Sequence, residues 1–322
     1  MISLVIPVYR NAESIGALLE ALARTHRDLG GALEVVFVVD GSPDDSYLRL
    51  ATELPRAPFR SRLLLLSRNF GAFSAIRAGL AAGTGDHFAV MAADLQEPPE
   101  LILEFARRLE GGGCDVVVGQ RTGRSDPLPA RMSAALFWGF YRRFIQAEVP
   151  PGGVDVFGCT RAVRDQIVRM TELNTSLVGL LFWVGFRRES VPYVRRERHA
   201  GRSGWTFQKK LAYLMDSVFS FSDLPIRFLL RTGALGLALS VVFAVAVLAA
   251  KLHGDIPVPG YAATVLAITF FGALNCFGLG IIGGYVWRTF DNTKGRPSYI
   301  VSSSESFGQA AGAHDDPRRF HG

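Results

Sequence analysis

The length, composition and charge of the chain exclude several classes of protein. It has 322 residues, 49% of them hydrophobic, and a formal net charge of +6 at pH 7. That length allows one large domain or two smaller ones. The positive charge fits an anionic membrane surface or a phosphate, and nucleic acid is not expected because no soluble segment interleaves Lys and Arg with aromatic residues. Cys114, Cys159 and Cys276 stand singly, so neither a cysteine metal site nor a disulfide framework is expected.

The first 120 residues alternate short apolar runs with helical patterns. Strands are predicted at residues 2–8, 33–39, 63–66, 88–91 and 115–119, and helices at residues 13–23, 44–54, 72–82 and 99–109. Near-continuous apolar strands separated by helices predict an α/β fold with a parallel sheet covered on both faces. In such sheets, ligands bind beyond the carboxyl ends of the strands.

A polar or glycine-rich segment follows each of the five predicted strands. These segments are Pro7-Val8-Tyr9, Asp40-Gly41-Ser42, residues 67–71, Asp94-Leu95-Gln96 and Gly119-Gln120-Arg121. Extended backbone would turn the oxygens of Asp94 and Gln96 to the same side. Oxygen ligands suit a hard cation such as Mg²⁺, held between a carboxylate and the phosphates of a substrate. The alternative is an ordinary strand end with a solvated acid and a proline opening the next helix.

Two long segments near the C-terminus carry no charged residue. They cover residues 232–250 and 256–287, and each exceeds the roughly 18 residues that a membrane-spanning helix needs. A pair of buried core helices is the alternative. The flanking cations, which are Arg227, Arg231, Arg288, Lys294 and Arg296, place the preceding domain and the tail in the cytoplasm by the positive-inside rule. No secretory signal is expected, since the first residues lack a basic segment and a cleavage site.

The residues on either side of these apolar segments have patterns of their own. Residues 205–221 combine apolar positions at helical spacing with Lys209 and Lys210, which predicts an amphipathic helix on the membrane surface. A helix packed on the soluble domain is the alternative. After Ser302 the chain is polar and rich in Gly, Ala and Asp, which predicts disorder.

In this order, the strand-end segments resemble those of family 2 glycosyltransferases, which have the Rossmann-like GT-A nucleotide-sugar fold. The layout that follows, with Phe-Ser-Asp-Leu-Pro-Ile-Arg at residues 221–227 and then two apolar segments, resembles the polyprenyl-phosphate sugar synthases. These are bacterial relatives of dolichol-phosphate mannose synthase. The resemblance implies inverting transfer of one sugar from a nucleotide diphosphate, UDP rather than GDP, to undecaprenyl phosphate at the cytoplasmic membrane.

The resemblance also implies a division of the chain. A cytoplasmic GT-A domain would cover residues 1–204, and amphipathic juxtamembrane helices would cover residues 205–227. A hairpin of two transmembrane helices would follow at residues 228–290, and a cytoplasmic tail at residues 291–322. Relatives suggest a homo-oligomer, as a tetramer, and Gly280 and Gly284 have the spacing that permits close helix approach.

Each strand-end residue receives a role from the resemblance. The donor would be bound by Pro7, Val8, Tyr9, Glu13, Asp40, Ser42, Asn69, Gly71 and Asp94, with Asp40 on the base. The acceptor phosphate would be bound by Arg121, Arg131, Arg198, Arg202 and Ser203. For Asp40, Ser42, Asn69 and Gly71 the alternative is an ordinary turn or helix cap, and for the basic segment at residues 198–203 it is attraction to anionic lipid.

The chemistry is assigned to three of these residues. Asp94, with Gln96, would hold Mg²⁺ or Mn²⁺ against the diphosphate, and Arg121 would reach a phosphate. Asp155 matches a family aspartate proposed as catalytic base. An acceptor phosphate is already ionised near pH 7, so the alternative role for Asp155 is to orient the acceptor or to steady an arginine.

Two positions depart from the family pattern. Val39 and Ala92 stand where relatives often have Asp, and Ala92 removes one carboxylate from the metal site. One alternative function is therefore a non-catalytic protein that binds a sugar nucleotide or serves as a scaffold. The other is a chain-extending polysaccharide synthase, although the chain lacks the Gln-x-x-Arg-Trp segment of those enzymes and has fewer apolar segments.

Overall fold

The computed structural model describes residues 1–123, 137–150, 152–172, 175–196, 207–252 and 260–308. The chain divides into two compact units. One contains residues 1–213 together with the chain from residue 296 onward, and the other contains residues 214–295. The predicted domain boundaries at residues 204, 227 and 290 stay predictions.

Among the described residues, eight strands of the first unit form a single sheet. In chain order they are β1 Ile2–Val8, β2 Leu33–Val39, β3 Arg60–Leu66, β4 His87–Val90, β5 Val116–Gly123, β6 Phe157–Thr160, β7 Arg188–Val194 and β8 Val301–Phe307. Their order across the sheet is β7-β5-β6-β4-β1-β2-β3-β8. β6 runs antiparallel to both β4 and β5, and β8 runs antiparallel to β3. The remaining neighbours are parallel, so the sheet is mixed but mostly parallel, as expected for an α/β fold.

Helices cover both faces of this sheet. They are α1 Ile15–Asp28, α2 Ser46–Glu53, α3 Ala72–Ala82, α4 Glu100–Glu110, α5 Arg161–Arg169 and α6 Leu177–Trp183. Every residue of β2 is buried, and all but Glu34 are apolar, as expected for a strand covered by helices on both faces. α3 lies so close to β1 that a Cβ on Gly79 would be 2.3 Å from Val5 Cγ1. The five predicted strands and the four predicted helices are confirmed, with ends shifted by a few residues.

The prediction of disorder directly after Ser302 is wrong. Residues 301–307 form β8, which pairs along β3 and so completes one edge of the sheet. Its side chains alternate between half-buried and exposed, and an edge strand of this kind needs little apolar content because the backbone ladder holds it. The Ser302 hydroxyl donates to the Leu65 carbonyl at 3.0 Å, and the Tyr47 hydroxyl donates to Glu305. Residues 309–322 lie outside the described part of the chain.

Long apolar helices dominate the second unit. α7 Phe207–Phe221 enters it from the first unit, and α8 Leu224–Leu252 and α9 Tyr261–Thr293 follow. α8 and α9 pack on each other through Phe228 and Phe277, whose ring centroids are 6.2 Å apart. Within the described residues, one stretch, Phe270–Thr293 of α9, is long and apolar enough to cross a membrane. The second predicted span is not confirmed. The helix predicted at residues 205–221 is present as α7, and its place on a membrane surface stays a prediction.

Candidate active site

The carboxyl ends of β1 to β5 lie at one edge of the sheet, because these five strands run in the same direction. The segments that follow β1 and β2 are tied together there. The Arg10 backbone N–H donates to Ser42 Oγ at 2.8 Å, and the Ala12 N–H donates to Asp44 Oδ2 at 3.1 Å. Ser42 Oγ also donates to Asp44 Oδ1 at 2.6 Å. Ser42 therefore braces the loop after β1, whatever contact it makes with a donor.

The residues predicted to bind a donor nucleotide at the end of β1 differ in their accessibility. Tyr9 is 41% exposed, and Glu13 is also exposed. Pro7 is half-buried. The Val8 side chain belongs to the hydrophobic core, so a ligand would meet this residue through its backbone.

Asp40 shapes the loop that follows β3. It is 2% exposed, and its Oδ1 and Oδ2 accept the backbone N–H groups of Phe70 at 2.7 Å and Gly71 at 2.8 Å. Asn69 Nδ2 donates to the Asp40 carbonyl at 3.2 Å. Burial raises the pKa of Asp40, and the two amide hydrogen bonds act in the opposite direction. This geometry favours a positioning role for Asp40, while the contact with a nucleotide base stays a prediction.

The turn at Asp94 differs from the extended geometry expected from the sequence. Leu95 has a φ of 55°, in the left-handed region that non-glycine residues rarely adopt, and the chain turns between Asp94 and Gln96. Asp94 is 9% exposed, and its Oδ1 accepts the Gln96 N–H at 3.3 Å. The Gln96 side-chain oxygen accepts from Arg195 Nη2 at 2.6 Å. The oxygen assigned to a metal is thus held by a guanidinium from the end of β7.

Glu97 is a buried acid that the sequence motifs did not indicate. It is 1% exposed, and its Oε2 has no hydrogen-bond partner among the described residues. Burial and the nearby charges of Asp94 and Asp155 raise the pKa of Glu97 to about 7. Its other oxygen lies 3.8 Å from Arg195 Nη2. In the sequence, the sign of this residue was a carboxylate directly after Gln96, at a position expected to lead into a helix.

Arg121, Asp155 and Tyr193 form a second group of polar side chains. Sheet pairing sets Arg121 beside Tyr193, and Asp155 precedes β6, the strand on the other side of β5. Arg121 Nη2 donates to Asp155 Oδ2, which also accepts from the Tyr193 hydroxyl at 3.1 Å. Burial opposes the charge on Arg121, but Asp155 and Tyr193 outweigh it and raise the pKa of the guanidinium. A carboxylate with both partners engaged steadies an arginine better than it removes a proton.

The rest of the predicted acceptor site, Arg131, Arg198, Arg202 and Ser203, lies outside the described residues. The roles of these four residues stay predictions. Of the predicted acceptor-phosphate residues, the described part of the chain contains Arg121.

The acidic groups fit a divalent cation that arrives with its substrate. The negative charges of Asp94 and Asp155 both act on Glu97, and a cation would relieve that repulsion. Yet no group of three His, Cys, Asp or Glu side chains is placed to ligate a metal in the described part of the chain. A diphosphate and water would have to supply most of the ligands, as is common for Mg²⁺.

Comparison with known proteins agrees with this architecture. The family model described as glycosyl transferase family 2 matches residues 3–170. The putative glycosyltransferase CsbB of Bacillus subtilis is 32% identical over 304 residues, which are 94% of this chain and 92% of the relative. The prophage bactoprenol glucosyl transferase homolog of Escherichia coli is 30% identical over 301 residues, or 93% of this chain and 98% of the relative.

A solved structure of Mycobacterium tuberculosis glucosyl-3-phosphoglycerate synthase, in complex with Mn²⁺, UDP-glucose and phosphoglyceric acid, is 20% identical. The superposition covers 62% of this chain and 73% of the synthase chain, with a TM-score of 0.43. A score this low supports no conclusion about this protein. The family assignment rests on the sequence comparisons. Because the family model matches more than half of the chain and the two relatives match nearly all of it, this protein belongs to glycosyltransferase family 2.

Proposed function

We propose that this protein transfers a single sugar from a nucleotide diphosphate to polyprenyl phosphate at the cytoplasmic face of a membrane. The observation that carries the proposal is the extent of the similarity. Relatives named bactoprenol glucosyl transferase match 93–94% of this chain, which includes the apolar helices as well as the α/β domain. The similarity thus extends over the apolar segments as well as the catalytic domain, and this supports a common membrane layout.

The reaction needs little proton transfer. An oxygen of the acceptor phosphate, already ionised near pH 7, would attack the anomeric carbon of the donor sugar. The new bond forms there as the bond from that carbon to the nucleoside diphosphate breaks, and the electron pair leaves with the diphosphate. Direct displacement of this kind inverts the anomeric centre. The chain's task is thus to position two phosphates of like charge and to exclude water.

Arg121 and Asp155 suit the acceptor side of that task. A guanidinium held in place by a carboxylate and a phenol is pre-oriented to grip a phosphate bidentately. Arg131, Arg198, Arg202 and Ser203 would complete the grip. In this arrangement Asp155 orients Arg121 and does not act as the base.

The donor would lie across the ends of β1 to β4. Pro7, Tyr9 and Glu13 offer accessible positions, and the loop at Asn69 and Gly71 is shaped by Asp40. A cation, Mg²⁺ or Mn²⁺, would neutralise the departing diphosphate, with Asp94 as its protein carboxylate and Gln96 as a further oxygen. Because Gln96 is held by Arg195, Asp94 is the ligand on which this site depends most. UDP is the favoured nucleotide, and glucose is the first sugar to test.

The membrane arrangement is a two-helix hairpin. α8 is 29 residues long, and its stretch at residues 232–250 carries no charged residue, so we assign it as a span beside α9. The flanking cations would keep the family 2 domain in the cytoplasm. We also propose that the protein forms a homo-oligomer, as a tetramer. A Cβ placed on Gly280 would meet open space, whereas a Cβ placed on Gly284 would lie 3.4 Å from the ring of Phe219 in the same chain.

The direct test uses purified full-length protein with undecaprenyl phosphate and a panel of nucleotide sugars, with products identified by mass spectrometry. We expect a lipid product that carries one sugar, and we expect its formation to require Mg²⁺ or Mn²⁺. A polymer would instead indicate a chain-extending synthase. Nucleotide binding without turnover on any donor would indicate a non-catalytic protein.

Asp94→Ala should abolish transfer while the protein stays folded and membrane-bound. Asp45→Ala is the matched control, since Asp45 is an exposed carboxylate whose side chain makes no capping hydrogen bond. Retained activity in Asp94→Ala would overturn the metal assignment.

A further inference from the structure

A buried arginine outside the candidate active site forms no ion pair with another residue in the described part of the chain. Arg77 lies on α3 and is 7% exposed. Its guanidinium makes no hydrogen bond or ion pair with another described residue. Burial lowers the pKa of Arg77, and the attraction of Glu172 and Tyr299 does not offset that effect. An uncompensated cation is costly to bury, so its site is suited to an anion.

Arg77 lines a small cavity that contains several hydroxyl groups. The cavity has a volume of about 50 Å³ and is lined by Phe73, Ser74, Arg77, Glu172, Thr175, Leu177 and Ser298. The Thr175 hydroxyl is buried and has no hydrogen-bond partner among the described residues. Together with Ser74 and Ser298, it adds hydroxyl donors to the five N–H groups of the guanidinium. That donor set suits a tetrahedral oxyanion.

Glu172 restricts which oxyanion would bind. It is exposed, and it lies close enough for its charge to affect Arg77 but beyond ion-pair distance. A carboxylate at this position repels a dianion about twice as strongly as a monoanion. A phosphodiester carries one negative charge, whereas free phosphate carries between one and two near pH 7. The single charge of Arg77 neutralises a monoanion, whereas a dianion would keep an excess negative charge beside Glu172, and this charge balance favours a phosphodiester.

A short connecting segment joins this cavity to the candidate membrane-spanning stretch. Thr293 is the last residue of the candidate membrane-spanning stretch, and Ser298 lies five residues further along the chain. Five extended residues span at most about 18 Å. Phe73 contacts the ring of Tyr213 in α7, with centroids 5.9 Å apart, and Ser176 next to Thr175 donates to the Tyr213 hydroxyl at 3.0 Å. The cavity thus borders the helix that leads into the apolar unit.

We propose that the Arg77 cavity binds the phosphodiester headgroup of an anionic membrane lipid, at a site separate from sugar transfer. The lipid would act as a fixed structural ligand. It would tie α3, the segment before α6 and the segment after α9 to the membrane surface. The proposal does not depend on which sugar or acceptor the protein uses.

The test measures thermal unfolding of the full-length protein in an uncharged detergent. One arm adds dihexanoyl phosphatidylglycerol, a second adds dihexanoylglycerol without a phosphate, and a third adds inorganic phosphate against chloride at matched ionic strength. We expect phosphatidylglycerol to raise the Tm by about 4 °C at saturation. The uncharged lipid should leave it unchanged, and inorganic phosphate should have a smaller effect.

Variants separate this site from general charge attraction. Arg77→Gln should respond to phosphatidylglycerol by less than about 1 °C, whereas Arg169→Gln, which removes an exposed arginine from α5, should respond like wild type. Without lipid, Arg77→Leu should unfold at a higher temperature than wild type, because the unpaired charge is gone. If Arg77→Leu does not fold, Arg77→Lys tests the same site and should keep part of the response.

Two outcomes would overturn the proposal. Equal responses of wild type and Arg77→Gln would show that the lipid acts elsewhere. A larger effect of inorganic phosphate than of phosphatidylglycerol would assign the cavity to free phosphate and exclude the lipid headgroup.

Discussion

Replacing Asp155 with Asn should destabilise the family 2 domain much more than the same change at Asp115. Both carboxylates pair with an arginine, but the two pairs differ in burial. The side chains of Arg121 and Asp155 are 9% and 33% exposed, whereas those of Arg187 and Asp115 are 63% and 22% exposed. Asp155→Asn removes the counter-charge of a nearly buried guanidinium, and Asp115→Asn removes that of a solvated one.

The magnitudes follow from this difference. Breaking a fully buried pair costs about 3–5 kcal/mol, and the partial exposure of Asp155 reduces this to about 2 kcal/mol. A surface pair contributes about 0.5 kcal/mol. In a domain of about 200 residues, these free energies correspond to a fall in Tm of roughly 4–8 °C for Asp155→Asn and 1–2 °C for Asp115→Asn. Thermal unfolding of the two full-length variants beside wild type measures both values.

The same pair of variants tests how Asp155 acts. If it orients Arg121, Asp155→Asn should lower transfer by about tenfold to a hundredfold, and Tyr193→Phe should produce a smaller loss of the same kind. Asp115→Asn should transfer at the wild-type rate. Equal thermal destabilisation of the two Asn variants would refute the idea of a buried pair. If Asp155→Asn abolished transfer and Tyr193→Phe had no effect, the result would indicate that Asp155 acts as the catalytic base.

Three further changes have definite expected outcomes. Gly79→Ala should destabilise the domain by about 1–3 kcal/mol, because the new methyl group would lie 2.3 Å from Val5 Cγ1. Gly16→Ala should stabilise the domain by up to about 1 kcal/mol, because the new methyl group would meet open space. Thermal unfolding of the two variants beside wild type measures both effects. Arg195→Gln should leave the Gln96 oxygen without the guanidinium that positions it and raise the KM for the donor about tenfold, and an unchanged KM would contradict the importance of the Gln96 contact. Hydrogen bonds from Arg107 and Arg108 lower the pKa of Glu104 to about 2, so its stabilising effect is present above about pH 4.5 and is lost as the pH falls toward 2. The Tm difference between wild type and Glu104→Gln should therefore narrow over that range, and a constant difference would exclude this origin.

The sequence supported the secondary structure of the first 120 residues because its signals are local. An apolar run such as residues 33–39 and a helical pattern such as residues 72–82 are each complete within a few residues. The same locality explains why the ends of β1 to β5 could be selected as candidate site positions. β8 could not be found in this way, since its Ser-rich sequence becomes a strand only beside β3, which lies more than 200 residues earlier.

The site shows the same division between local and distant information. Asp94, Gln96, Arg121 and Asp155 were recognisable from motifs, and the residues that control them were not. Arg195 reaches Gln96 across 99 residues of sequence, and Tyr193 reaches Asp155 across 38. Such contacts depend on the order of strands in the sheet, which no local pattern specifies.

By itself, the sequence determined the class of fold, the edge of the sheet at which a ligand would bind and the two apolar segments, because each depends on the spacing of neighbouring residues. The tertiary structure alone decided which side chains meet. It placed β7 beside β5, buried Glu97 within reach of the charges of Asp94 and Asp155, and buried Arg77 without an ion pair among the described residues. Burial and charge pairing are properties of the folded sheet and its covering helices, and they set the chemistry that each of these groups can perform.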